Sequence, residues 1–434
     1  MLPGITYPRR QLAVAALTAN ALRPLGGRYA SIPAFFYGWL ASELAPQLLL
    51  VTAADTAAEL TVRRSRRRST AGQVLDRRAG LALAALSAAG LGYLIHNSWR
   101  AASHVETTLR DGLGEDYLEA LEEPPGPEDL RTRLLEVARP FKLSRPGVEV
   151  IRDINYRVGG KRARLDIYRP EGVDLTDAPV LVQVHGGGWT IGTKEQQGLL
   201  LMNRMALRGW VCVAMNYRLS PKHPWPAHII DVKKALAWTR RNISSYGGDP
   251  DYLVITGGSA GGHLSALAAL TPGDPDFQPG FEDVDTSVAA CVPFYGVYDL
   301  AGLTGHKTAI AMRDYFLGPR VFKKNPKKEL DVFVAASPLA RVTSEAPDFF
   351  VLHGANDSLV DVRQARAFVE KLKAESDASV TYAEFPGTQH AFEVFGSIRS
   401  HHVIRAVERW LMHHHALWSR EREEPGAGQT SAAG

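Results

Sequence analysis

The chain has 434 residues, enough for a large buried core, and its 45% hydrophobic and 22% charged content with 39 Gly and 26 Pro excludes collagen-like and wholly disordered chains. Its two cysteines, Cys212 and Cys291, each sit in an apolar strand-like run, which excludes a disulfide scaffold and leaves two core thiols. The net charge of +4 comes from one segment: Thr61 to Arg78 holds seven Arg against one Asp, while the remainder carries 43 basic against 45 acidic residues, so no nucleic-acid-binding surface is expected.

Residues 1–103 read as a hydrophobic helical region. Between Arg28 and Asp55 the only charge in 26 residues is Glu43, and from Ala79 to Trp99 there are 21 residues without Asp, Glu, Lys or Arg. Each stretch has the length to cross a bilayer core, although Glu43 and Pro46 weaken the first and its Ala and Gly content weakens the second. With RRSRRR at Arg63 to Arg68 between them, they predict a membrane hairpin. Its loop would stay cytoplasmic and the following chain would lie on the outer, cell-envelope side. A soluble or surface-lying helical pair is the alternative. No cleaved signal peptide is expected, because the first 30 residues lack a short apolar region followed by small residues.

Residues 104–147 read as a helical linker or cap element, broken by EEPPGPED at Glu122 to Asp129. From 148 to 418 the texture changes to short β-branched runs alternating with helical spacing, which predicts an α/β domain with a mostly parallel sheet. Eight strands are expected near 149–156, 164–168, 180–184, 211–216, 252–256, 288–294, 349–353 and 380–385. Helices are expected near 195–207, 228–242, 362–374 and 398–418, and the tail 419–434 reads as disordered.

The fifth strand runs into Gly257-Gly258-Ser259-Ala260-Gly261-Gly262, a G-x-S-x-G motif in its strand-turn-helix context. A nucleophile on so sharp a turn needs neighbours without side chains, and the helix behind it favours negative charge nearby. The third strand ends in His185-Gly186-Gly187-Gly188-Trp189, where consecutive glycines let backbone N–H groups turn toward a substrate oxygen. A serine needs a base, and the base an orienting acid. Asp357 and His390 lie just beyond the seventh and eighth strands, and the order Ser, Asp, His is that of the α/β-hydrolases. Asp361 is a rival acid, but it falls where a helix should start, which suits a capping role.

Residues 148–418 resemble the hormone-sensitive-lipase-like branch of the α/β-hydrolases, particularly its bacterial carboxylesterases. The matches are His185 to Trp189, Tyr217-Arg218-Leu219-Ser220-Pro221, Gly257 to Gly262, Asp357-x-Leu-x-Asp361 and His390-x-Phe392. The resemblance implies an α/β-hydrolase fold with eight strands, flanking helices and a helical cap. It makes Ser259 the nucleophile, His390 the general base and Asp357 its partner, with the N–H groups of Gly186, Gly187 and Ala260 as oxyanion hole. Gly188 is expected to shape that loop, and His185 and Trp189 to belong to the same substrate-facing motif. The chain departs from the family at Ser220 and Lys222, which puts a polar anchor below the oxyanion loop in doubt, and at Ser358 and Ala391.

Three further features have blander readings. His413-His414-His415, with His401 and His402, read as a solvated helix end, since consecutive histidines point around a helix. Asp299 is as well explained by structure as by the site. Leu303 to Leu339 is long enough for a cap that gates substrate. The expectation is therefore a membrane-associated carboxylesterase or lipase that cleaves a hydrophobic acyl ester through an acyl-enzyme, with no cofactor and no metal; no oligomeric state is specified. An arylformamidase, amidase or peptidase of the same fold, and a silent hydrolase-fold binding module, are the alternatives.

Overall fold

The computed structural model describes residues 5–27, 30–64, 70–121 and 123–423. Residues 65–69 of the arginine run and 424–434 of the expected disordered tail lie outside the described residues.

Eight strands form one sheet: β1 (Val148–Asn155), β2 (Arg164–Pro170), β3 (Ala178–Val184), β4 (Val211–Met215), β5 (Gly248–Gly258), β6 (Ala290–Phe294), β7 (Asp348–Gly354) and β8 (Val380–Phe385). Their order is β1-β2-β4-β3-β5-β6-β7-β8. β1 and β2 run antiparallel at one edge and β4 through β8 are parallel. The continuous apolar runs of β4 and β6 suit strands covered on both faces, and every residue of both is buried. One face carries helices Ala227–Asn242, Ala260–Leu270 and Arg363–Glu375; the other carries Leu199–Leu207 and Ile398–Glu423. The last helix continues five residues past the expected end at Trp418. Parallel pairing puts the carboxyl ends of β3, β5, β7 and β8 on one edge, so their following loops converge.

The N-terminal region holds one apolar helix of span length and one bent helix pair that together match the length and composition of a span. It contains α1 (Tyr7–Leu22), α2 (Ser31–Glu43), α3 (Ala45–Arg64) and α4 (Ala71–Leu113). The first apolar stretch is broken: α2 and α3 meet at Leu44 with an 81° bend. Pro46 has no N–H to bond the Ser42 carbonyl and carry the α2 ladder forward. The second stretch lies within α4, a helix of 43 residues that starts at a Thr70/Gln73 capping box and passes through position 103 without interruption. It is the one described helix long and apolar enough to cross a membrane. Glu43, the charge that weakened the first stretch, is buried in an ion pair with Arg399 and accepts from Ser397 Oγ at 2.6 Å. It fastens α2 to the catalytic domain.

α1, α3 and the first half of α4 pack together with polar groups inward. Gln11, Thr18, Thr52 and Ser87 are buried, and Arg10 pairs with Asp55 at 2.8 Å. Leu12, Leu50, Val51 and Leu86 face outward, Leu50 with 71% and Leu86 with 68% of its surface exposed. Among the described residues, none of the exposed ones in Leu12–Leu22, Leu50–Leu60 or Ala79–Tyr93 is charged. From Asn97, which donates to the Pro386 carbonyl at 2.7 Å, α4 lies along the catalytic domain.

Candidate active site

Ser259 occupies the turn between β5 and helix Ala260–Leu270 at φ +59° and ψ −119°, a strained conformation for a residue with a Cβ. Its N–H donates to the Phe294 carbonyl at 2.9 Å, which ties the turn to the end of β6. Glycine is needed at 261 because a Cβ there would collide with the Val184 carbonyl of β3.

His390 and Asp357 come together as expected. The Nδ1–H of His390 donates to Asp357 Oδ2 at 2.6 Å, with both side chains buried. The other carboxylate oxygen accepts the N–H groups of Leu359 at 2.9 Å and Val360 at 2.8 Å, so the loop after β7 locks the rotamer. His353 adds a second imidazole 3.3 Å from Oδ2. Burial alone would raise the Asp357 carboxyl, but the charge and hydrogen bonds of His390 and His353 outweigh it and hold the group well below the usual carboxylate range. Asp361 instead binds the Arg363 guanidinium and accepts the Arg363 N–H at 3.1 Å, at the start of helix Arg363–Glu375. Among the described residues no hydrogen bond joins Ser259 to His390.

The glycine loop requires one correction. The Gly186 N–H, expected to serve with those of Gly187 and Ala260 as oxyanion hole, instead donates to Gln197 Oε1 at 2.6 Å and is engaged. Gly187 at φ +111° and Gly188 at φ +56° curl the backbone so tightly that a Cβ on Gly188 would sit 3.3 Å from the Phe316 ring. Among the described residues no hydrogen bond engages the N–H groups of Gly187 and Gly188. His185 stacks on Tyr217 at 4.2 Å, its Nδ1 lies 2.7 Å from the Gly186 carbonyl, and burial lowers its pKa to about 4, so it stays neutral and shapes the loop. Trp189 donates to His263 Nδ1 at 3.1 Å. The anchor in doubt at Ser220 is present in another form: its N–H holds the Trp189 carbonyl at 2.9 Å and its Oγ donates to the Val321 carbonyl at 3.0 Å.

Segment 303–339 packs Leu317, Val321, Phe322 and Phe333 into the core and so forms a wall beside the oxyanion loop. Asp299 is structural, accepting the N–H groups of Gly302, Leu303 and Thr304. The histidines of the last helix are not solvated as expected. His413 is buried, and His414 meets the Tyr252 hydroxyl at 2.7 Å. No group of His, Cys, Asp and Glu that could hold a metal occurs among the described residues.

Two neighbours of His390 escaped sequence reasoning. Tyr295, just past β6 at φ +37°, places its ring 4.3 Å from the imidazole, and its hydroxyl donates to the Glu393 carboxylate at 2.5 Å. Burial pushes Glu393 up to about 7 against the opposing Tyr295 hydrogen bond. The position of Tyr295 beyond a strand's carboxyl end was a usable signal. Phe35 of α2 had none: it meets the His390 ring edge-on at 5.6 Å from a helix remote in sequence.

Fold and relatives together define a carboxylic ester hydrolase of the α/β-hydrolase superfamily. The family model described as BD-FAE matches residues 165–372. Over 98% of both chains, the protein is 43% identical to "Probable carboxylic ester hydrolase LipM" of Mycobacterium tuberculosis. It is 44% identical to "Esterase LipQ" of the same organism over 76% of this chain and 80% of that one. Among solved structures, esterase B from Lactobacillus rhamnosis has the same fold at a TM-score of 0.54 and 21% identity, over 65% of this chain and 92% of that one. The chain belongs to the family of LipM and LipQ, hormone-sensitive-lipase-like esterases.

Proposed function

We propose that this esterase works through a Ser259-His390-Asp357 triad and an acyl-enzyme. Ser259 Oγ attacks the ester carbonyl while His390 Nε2 takes its proton. The N–H groups of Gly187, Gly188 and Ala260 stabilise the oxyanion, and His390 then protonates the leaving alcohol. A water deprotonated by His390 cleaves the acyl-enzyme, returning the acid and free Ser259. The observation that carries this reading is the 2.6 Å contact between His390 Nδ1 and Asp357. It holds the imidazole in the tautomer whose Nε2 can accept a proton. The strained turn at Ser259 supports it. The test is hydrolysis of p-nitrophenyl esters of graded acyl length by wild type and S259A in detergent, with fluorophosphonate labelling. Serine-dependent turnover falling by several orders of magnitude in S259A is expected. Near-native turnover by S259A refutes the triad.

The N-terminal helices are the membrane anchor in this reading, with the catalytic domain on the outer side. Support comes from the 21 charge-free residues Ala79 to Trp99, about 31 Å of helix against a hydrocarbon core of about 30 Å. The outward apolar face and Arg77 and Arg78, which precede the charge-free run of α4, point the same way. Treating vesicles with protease from outside, with and without permeabilisation, tests the orientation.

A further inference from the structure

We infer that α2 lies in the membrane surface as the wall between bilayer and triad, and that the substrate is an ester dissolved in lipid that reaches Ser259 past this helix. The inference rests on the hydrolase and membrane-anchor readings above.

Along Leu12–Leu22 of α1, Leu50–Leu60 of α3 and Ala79–Tyr93 of α4 no exposed residue is charged, while Gln11, Thr18, Thr52 and Ser87 are buried between the helices and large apolar side chains such as Leu12, Leu50, Val51 and Leu86 face outward. With α3 along the membrane normal, a helix that turns 81° from it lies close to the plane of the membrane. α2 makes that turn and is apolar on two sides. Inward, Phe35 meets the His390 ring and stacks on Trp39 at 5.6 Å, the Ser31 carbonyl accepts from Ser358 Oγ beside Asp357, and Glu43 closes the far end on Arg399. Outward, Ile32, Phe36, Tyr37 and Leu40 are exposed. Their spacing follows one helical face. The last residue of α1 also touches this edge, its Leu22 carbonyl accepting from Asn356 beside Asp357 at 3.1 Å. The bilayer and the catalytic base thus meet opposite sides of a single helix.

The rim near the oxyanion loop is apolar too. Ile191 and Phe316, both exposed, flank Gly187 and Gly188. An ester whose acyl chain stays in the lipid can bring its carbonyl to the headgroup level, where Ser259 receives it, without passing fully through water. A substrate that arrives from bulk water gains nothing from such a surround.

The experiment uses the full chain in phosphatidylcholine vesicles containing phosphatidylglycerol. The combined variant I32N/F36N/Y37S/L40N changes the outward face and none of the triad. The rates compared are those of water-soluble p-nitrophenyl acetate and of p-nitrophenyl palmitate held in the vesicles. The expected result is acetate turnover within threefold of wild type and a loss of at least tenfold on palmitate. Equal losses on both esters, or no loss on palmitate, overturn the inference. Should the combined variant not fold, I32C carrying a spin label decides, since Cys212 and Cys291 are both buried. Greater relaxation by oxygen than by a water-soluble nickel chelate is expected, and the reverse overturns the inference. Failure of the hydrolase reading looks different, because wild type would then hydrolyse neither ester in a Ser259-dependent way.

Discussion

Replacing Asp357 by Asn tests the orienting role most directly. The Oδ1 atom already accepts two backbone N–H groups, at 2.9 and 2.8 Å, and an Asn side chain keeps both with its carbonyl oxygen. Its NH2 then stands where Oδ2 stood, 2.6 Å from His390 Nδ1. Two donors cannot share that contact, so the imidazole moves its proton to Nε2 and loses the lone pair that must accept the Ser259 proton. An isosteric change of this kind lowers kcat by about 10⁴ in serine hydrolases, about 5 kcal/mol of transition-state stabilisation. The assay is p-nitrophenyl butyrate hydrolysis at pH 7.5, with fluorophosphonate labelling expected to slow in parallel. D361N serves as control and should stay within threefold, because Asp361 is held by Arg363 away from His390. D357N with more than a tenth of wild-type kcat, or D361N losing as much as D357N, refutes the reasoning.

The remaining predictions concern stability and the turn at Ser259. Glu43→Ala leaves Arg399 buried without its carboxylate and should cost about 3 to 5 kcal/mol in chemical denaturation, most of it recovered in E43L/R399M. An unchanged midpoint for E43A would show that the α2 clasp contributes nothing. His185, His263 and His402 are lowered to about 4 by burial, so between pH 4 and 6.5 the unfolded chain binds more protons than the folded one. Their contribution is present above pH 6.5 and lost as pH falls toward 4, and the denaturation midpoint should drop between pH 7 and pH 5. Glu393 works in the opposite sense: burial raises it to about 7, so its contribution is full below the ordinary carboxylate range and lost as pH rises through 7. E393Q should therefore gain about 3 kcal/mol relative to wild type between pH 5 and pH 8.5, and equal slopes for the two proteins would refute this account. Gly261→Ala should abolish fluorophosphonate labelling, because the added methyl displaces the elbow helix from β3.

The catalytic half was legible because its signals are local. β-branched runs alternating with helical spacing yielded all eight strands, and parallel pairing then placed Ser259, Asp357 and His390 at one edge whatever the details of packing. Placement at a helix start was enough to separate Asp361 from Asp357. By itself the sequence thus determined the fold class and the order in which Ser259, Asp357 and His390 reach that edge. Only the tertiary structure decided what depends on contacts between segments far apart in the chain. The Gly186 amide is engaged by Gln197, which no motif announces. His413 is buried and His414 meets the Tyr252 hydroxyl because helix Ile398–Glu423 packs on the catalytic domain. Glu43 is a costly charge in a linear apolar stretch, yet it becomes the clasp that seats α2 once Arg399 is beside it. Hydropathy along the chain records how apolar a segment is but not which side it turns outward. That side, set by packing, put Phe35 against His390 and left Ile32, Phe36, Tyr37 and Leu40 on the surface.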